Sequence, residues 1–141
     1  MAMIPPALSV VVPVLNEAAG ITATLASLAP LRQRGVEVIV VDGGSQDATA
    51  ELARPHADAV VVAARGRARQ MNAGAAAARG TVLLFLHADT QLPPEADHLA
   101  LAAMAAGALW GRFDVRIVGR HPMLRVVATS APTLTLAPGA K

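Results

Sequence analysis

Four apolar runs in this sequence are each followed by a short polar segment, and those segments hold the residues best suited to chemistry. Asn16 and Glu17 follow residues 8–14. Asp42 closes residues 36–41. Arg65, Arg67 and Arg69 follow residues 59–62, and His87 and Asp89 follow residues 81–86. Carboxylates beside guanidiniums suit a phosphorylated ligand that carries a divalent cation. Arg pairs with phosphate oxygens through a planar fork of donors. A carboxylate such as Asp89 can ligate Mg2+ or Mn2+, hard ions that take their remaining ligands from water and phosphate. Asp42 can accept a hydrogen bond from a base N–H or a ribose hydroxyl.

The elements that must position these residues follow from the apolar pattern. Residues 8–14, LSVVVPV, and 36–41, VEVIVV, are continuous β-branched runs without alternation, the mark of strands covered on both faces. Residues 59–62 give a weaker third strand and residues 81–86, TVLLFL, the strongest one. Between them, residues 18–29 carry Ile21, Leu25 and Leu28 at helical spacing, with Pro30 expected to end the helix. A short helix is expected over residues 46–54, with Ser45 as its N-cap and Pro55 as its stop. The Ala-rich residues 65–79 predict a helix with Gly80 just past its end. Pro93 and Pro94 open another helix that runs to residue 106, with Gly107 beyond it. Residues 109–118 suggest an edge or antiparallel strand.

Strand and helix alternate, which predicts an α/β fold with a mostly parallel sheet and right-handed crossovers. In such sheets ligands bind beyond the carboxyl ends of the strands, where all the residues named above lie. Residues 1–128 read as one domain, and residues 129–141, TSAPTLTLAPGAK, as a poorly ordered tail.

Composition excludes several classes. With 54% hydrophobic and 16% charged residues, the chain of 141 residues is globular rather than disordered. Aromatic content is 2% with no Tyr, and the only dense basic cluster is Arg65, Arg67 and Arg69. That is unlike a surface that stacks or tracks nucleic acid, so no nucleic-acid partner is expected. There is no Cys, hence no disulfide and no thiolate metal site. The N-terminus lacks a basic leader and no stretch has the ~18 apolar residues of a membrane span, so a cytoplasmic location is expected. Neither a G-x-x-x-x-G-K-[ST] phosphate loop nor a G-x-G-x-x-G turn is present, which argues against the common nucleotide and dinucleotide sites.

Three blocks resemble a known family. Residues 9–17, SVVVPVLNE, resemble the opening strand of family 2 glycosyltransferases of the GT-A fold. Residues 38–49, VIVVDGGSQDAT, resemble their second strand and its D-G-[GS]-S-x-D-x-T turn. Residues 66–90, GRARQMNAGAAAARGTVLLFLHADT, resemble their Arg- and Asn-containing helix, fourth strand and D-x-D region. The blocks come in the family's order and spacing, and the resemblance covers roughly residues 9–127. The L-H-A-D-T form is similar to a bacterial subgroup described as rSAM/selenodomain-associated transferase 2.

The resemblance implies a Rossmann-like GT-A nucleotide-diphospho-sugar transferase fold, incomplete at the C-terminus. It implies that Pro13, Asn16 and Glu17 line the nucleotide pocket and that Asp42 contacts the base or ribose. Arg67 or Arg69, with Asn72, would face the nucleotide or its phosphates. Asp89 would match the second Asp of D-x-D and hold the metal, Mg2+ or Mn2+. His87 stands where the family has the first Asp and could ligate the metal or bond a ribose. The implied reaction moves a sugar from a nucleotide-diphosphate sugar to an acceptor the sequence does not name. Family members continue into a region that binds the acceptor and supplies a catalytic base. Asp97 and Asp114 do not match that base, so donor binding is expected rather than turnover. The alternative is a non-catalytic nucleotide-diphosphate-binding module or inactive fragment. A nucleotidyltransferase would need a Gly-rich loop with a basic residue after the first strand, and LNEAAG is not one. Apolar surface left by a sheet cut short makes self-association an expectation.

Overall fold

The computed structural model describes residues 4–113 and 134–136. The chain falls into two compact units, residues 1–97 and 98–141.

The first unit is built on four parallel strands: β1 Leu8–Val14, β2 Glu37–Asp42, β3 Ala59–Val62 and β4 Val82–Phe85, in the order β3-β2-β1-β4. β1 lies between β2 and β4, with Val10 opposite both Val38 and Leu84. β2 and nearly all of β1 are buried along their whole length, as their unbroken apolar runs require.

The connections are α1 Ile21–Ser27 and α2 Ala29–Gln33 before β2, α3 Thr49–Ala53 with a 3-10 turn Arg54–His56 before β3, and α4 Arg67–Ala77 before β4. The strand order steps from β1 to β2 to β3 and then jumps back across β1 to β4. Right-handed crossovers therefore put α1 and α3 on one face and α4 on the other. α1 packs on α3, and α4 packs on β1 and β2. Against α4 lies a core of Val11, Ile39 and Val41. A Cβ on Gly74 would come within 2.2 Å of Val11 Cγ1 and 2.9 Å of Val41 Cγ2. Only glycine lets α4 sit this close to the sheet.

Several local expectations are corrected. Pro30 does not end a helix; it sits in the first turn of α2, where its missing N–H has no intrahelical acceptor to lose. Ser45 does not cap α3, because its hydroxyl is committed to Asp42 and to the Asn16 N–H. α3 does end just before Pro55, at Ala53, and Pro55 itself lies in the 3-10 turn that follows. Gly80 is not a C′ glycine with positive φ. It is a close-approach position, where a Cβ would lie 2.5 Å from Ser9 Oγ. The run at 81–86 forms only the four residues of β4, an edge strand among the described residues, and Leu83 and Phe85 are exposed.

α5 Ala96–Ala105 spans the boundary between the units. The second unit contains β5 Gly111–Phe113 paired antiparallel with β6 Leu134–Leu136. β6 falls within residues 129–141. Residues 114–118 of the expected fifth strand, Asp114 among them, lie outside the described residues. No helix of the described residues is long and apolar enough to cross a membrane.

Candidate functional site

All four strands run the same way, so Asn16, Glu17, Asp42, His87 and Asp89 come to one edge of the sheet. A cavity of about 220 Å³ opens there, lined by Pro13, Val14, Leu15, Glu17, Arg67, Gln70, His87, Ala88 and Asp89. Its walls are the ends of β1 and β4 and the first turn of α4. This is the point where the strand order reverses, the place at which ligands bind in open α/β sheets. The volume lies below the ~300 Å³ at which small-molecule pockets usually begin.

Five residues singled out by sequence line this cavity: Pro13, Glu17, Arg67, His87 and Asp89. Among the described residues no side chain hydrogen-bonds to the Glu17 carboxylate, the Arg67 guanidinium or the His87 ring. The Asp89 carboxylate accepts one hydrogen bond, 3.1 Å from the Thr90 hydroxyl. The loop that carries His87 and Asp89 is pinned instead through its backbone. The Thr24 hydroxyl donates to the Ala88 carbonyl, and Thr90 N donates to the His87 carbonyl at 3.0 Å.

Asn16 and Asp42 reach the same edge but do not line the cavity. Asn16 adopts φ 52°, a left-handed conformation that Asn tolerates better than most residues. Its N–H donates to Ser45 Oγ at 2.9 Å, and its Oδ1 accepts from Gln46 N at 2.8 Å. Asp42 is buried, and its Oδ1 accepts from both the N–H and the hydroxyl of Ser45. Glu17 N donates to Thr49 Oγ1 and Ala18 N to Asp47 Oδ2, while the Thr49 hydroxyl and N–H donate to Asp47 Oδ1. These bonds tie the loop after β1 to the loop after β2. The Thr49 hydroxyl and the backbone N–H groups hold the Asp47 carboxyl below its ordinary value against the effect of desolvation. Arg65, Arg69 and Asn72 are exposed and outside the cavity lining. Asp97, considered as a base, is instead buried and held by Arg34 through two bonds of 2.8 Å.

Sequence reasoning missed Gln70. It is a buried polar residue one helical turn before Gly74, on the face of α4 that meets the sheet. A polar side chain among Gly and Ala on the packed face is the signal that could have found it.

Among the described residues no group of three or more His, Asp or Glu could hold a metal ion. The donor set at the end of β4 is one carboxylate and one imidazole. It fits Mg2+ or Mn2+ only when phosphate oxygens and water supply the remaining ligands.

Comparison with known proteins agrees with this architecture. Residues 9–134 match the model of glycosyl transferase family 2. Curated relatives include the PGL/p-HBAD biosynthesis glycosyltransferases of Mycobacterium tuberculosis and Mycobacterium bovis. These are 39% identical over 112 residues, which is 74% of this chain and 43% of theirs. The chain thus spans under half the length of the curated relatives it matches. Among solved structures, glucosyl-3-phosphoglycerate synthase from M. tuberculosis, in complex with Mn2+, UDP and glucosyl-3-phosphoglycerate, aligns with a TM-score of 0.63 and 28% identity. The alignment covers 72% of this chain and 40% of that one. A mannosyltransferase from Pyrobaculum calidifontis, in complex with GDP-Man and Mn2+, aligns with a TM-score of 0.59 and 28% identity over 75% of this chain and 34% of that one.

Proposed function

The chain belongs to glycosyl transferase family 2 and has a GT-A fold, and from that premise we propose that its cavity binds the diphosphate of a nucleotide-sugar donor with a divalent cation. The observation that carries this reading is the placement of Arg67, His87, Asp89 and Glu17 around one cavity at the strand-order reversal.

Each group has a task the chemistry assigns. Arg67, with the first-turn N–H groups of α4, would neutralise phosphate oxygens. Asp89, with His87 two residues before it, would hold Mn2+ or Mg2+. When bound, the cation offsets charge on the departing diphosphate. Glu17 and Pro13 would border the nucleoside. Asp42 and Asn16 would serve the same site by fixing its loops, with any contact to base or ribose made at their edge. Arg69 and Asn72, exposed on α4, would meet only parts of the donor that extend out of the cavity. The bound nucleotides and Mn2+ of the structural neighbours support this assignment by similarity.

Thermal shift with UDP and with GDP, each with and without Mn2+, tests the proposal. The expected outcome is stabilisation by a nucleoside diphosphate that grows when Mn2+ is present. No stabilisation by either nucleotide under any metal condition would refute donor binding. Transfer is a separate question, because the chain spans 43% of the length of its curated relatives. Release of sugar from a nucleotide sugar distinguishes a transferase from a donor-binding module.

A further inference from the structure

Gln70 is 5% exposed, and its carboxamide is fully engaged. Nε2 donates to the Val14 carbonyl at 2.8 Å and to the Val41 carbonyl at 3.0 Å, and Oε1 accepts from Gly66 N at 3.3 Å. Val14 ends β1, Val41 is the penultimate residue of β2, and Gly66 is the N-cap of α4. One side chain therefore joins β1 and the first turn of α4, which wall the cavity it also lines, to β2 beside them.

The space for it is provided by Gly43. A Cβ there would fall 2.7 Å from Gln70 Oε1 and 2.8 Å from its Cδ. The geometry is specific to an amide of this length. Asn would not reach both carbonyls, and Glu would set a carboxylate against two carbonyl oxygens. Arg67 is three residues earlier on the same helix, so the bond that fixes Gly66 also fixes the turn from which Arg67 extends.

We propose that Gln70 is the positioning residue of this cavity: by tying Val14, Val41 and Gly66 together it sets where the Arg67 guanidinium meets the phosphates of a nucleoside diphosphate. The proposal rests on the donor-binding reading above. It goes further by assigning the geometry of that site to a residue whose own polar atoms are all turned to the backbone.

A double-mutant cycle on the full chain tests it, with UDP or GDP plus Mn2+ as the probe and calorimetry as the readout. Gln70→Met keeps the side-chain length and removes the amide. Expected is an affinity about tenfold weaker than wild type, the scale of one lost polar contact of middling strength. In an Arg67→Ala background the same change should cost less than about twofold, because the group it positions is gone. Equal losses in both backgrounds would overturn the proposal.

A second arm guards against a merely structural role. Gly43→Ala forces the amide aside, and Gly43→Ala with Gln70→Ala removes the clash. The double variant should regain melting temperature over Gly43→Ala while its nucleotide affinity stays low. Affinity that recovers with stability would overturn the proposal. Hydrogen exchange of the Gly66 amide reads the tie without any ligand. Faster exchange in Gln70→Met supports the tie even if wild type binds neither nucleotide, in which case the donor-binding reading alone has failed. Unchanged exchange overturns it.

Discussion

The two ends of the four-stranded sheet use their polar residues in opposite ways. At the amino end, Ser9 Oγ donates to Glu37 Oε1 at 2.7 Å and accepts from Gly80 N at 2.9 Å. Arg79 N donates to Glu37 Oε1 at 2.8 Å, and its Nε donates to Oε2 at 2.6 Å. The Glu37 side chain is 5% exposed, and the network fastens the end of α4 to β1 and β2. The four hydrogen bonds of this network run between parts of the chain itself. At the carboxyl end, the backbone is fixed with equal care, but Glu17, Arg67 and His87 offer their charged or titratable groups to a cavity. A charged group without a partner contributes little to folding when exposed. Its placement around a concavity therefore points to a ligand. The contrast separates residues that hold the fold from residues held by it.

Breaking the amino end should have the largest effect on stability. Glu37→Ala leaves the Ser9 hydroxyl, the Arg79 N–H and the Arg79 guanidinium without their acceptor. The expected loss is about 2–3 kcal/mol of unfolding free energy, read by urea denaturation. The folded fraction should keep its nucleotide affinity. A loss below about 0.5 kcal/mol would remove the distinction between the two ends.

The carboxyl end should respond the other way. Asp89→Ala is expected to abolish the Mn2+-dependent part of stabilisation by UDP or GDP, while the unliganded urea midpoint moves little. Persistence of the metal effect would take Asp89 out of the metal site. Arg67→Ala should weaken nucleoside diphosphate binding by about tenfold in calorimetry, again with little change in unfolding. An unfolding change as large as that of Glu37→Ala would mean that Arg67 serves the fold.

The smallest expected effect sharpens the same comparison by pH. Burial pushes the Glu37 carboxyl up, but the Arg79 N–H, the Arg79 guanidinium and the Ser9 hydroxyl outweigh it and hold the group below its ordinary value. The unfolded chain then binds more protons than the native one in that window. The stabilisation is complete above the ordinary carboxylate value, about 4.3, and is lost as pH falls through the depressed native value. Asp58 acts in the same direction. Desolvation raises it, but the Arg32 side chain and the Val38 N–H lower it more. Urea midpoints should therefore fall on acidification through this range, and Glu37→Gln should flatten the fall. An equal fall in that variant would assign the acid sensitivity elsewhere.

Much of the fold was legible from the chain. β1 at residues 8–14 and β3 at residues 59–62 coincide with the expected strands, and β2 differs by one residue at each end. Helix boundaries were less legible, because Pro30 and Pro55 can open or occupy a helical turn as well as end one. β4 showed the opposite difficulty. TVLLFL reads as the strongest strand, yet it forms four residues with Leu83 and Phe85 exposed, since apolar content does not say which neighbours arrive.

What the sequence determined by itself is the family and the edge at which polar residues gather. A buried parallel strand must be a continuous apolar run, and its direction puts the residue that follows it at the carboxyl edge. Tertiary structure decided which of those residues face the cavity. Asn16 and Ser45 are 29 positions apart and bond each other; Gln70 and Val14 are 56 apart and do the same. Whether a polar group meets another segment of the chain or a cavity depends on ångström distances between parts remote in sequence, and no local pattern of residue types carries that information.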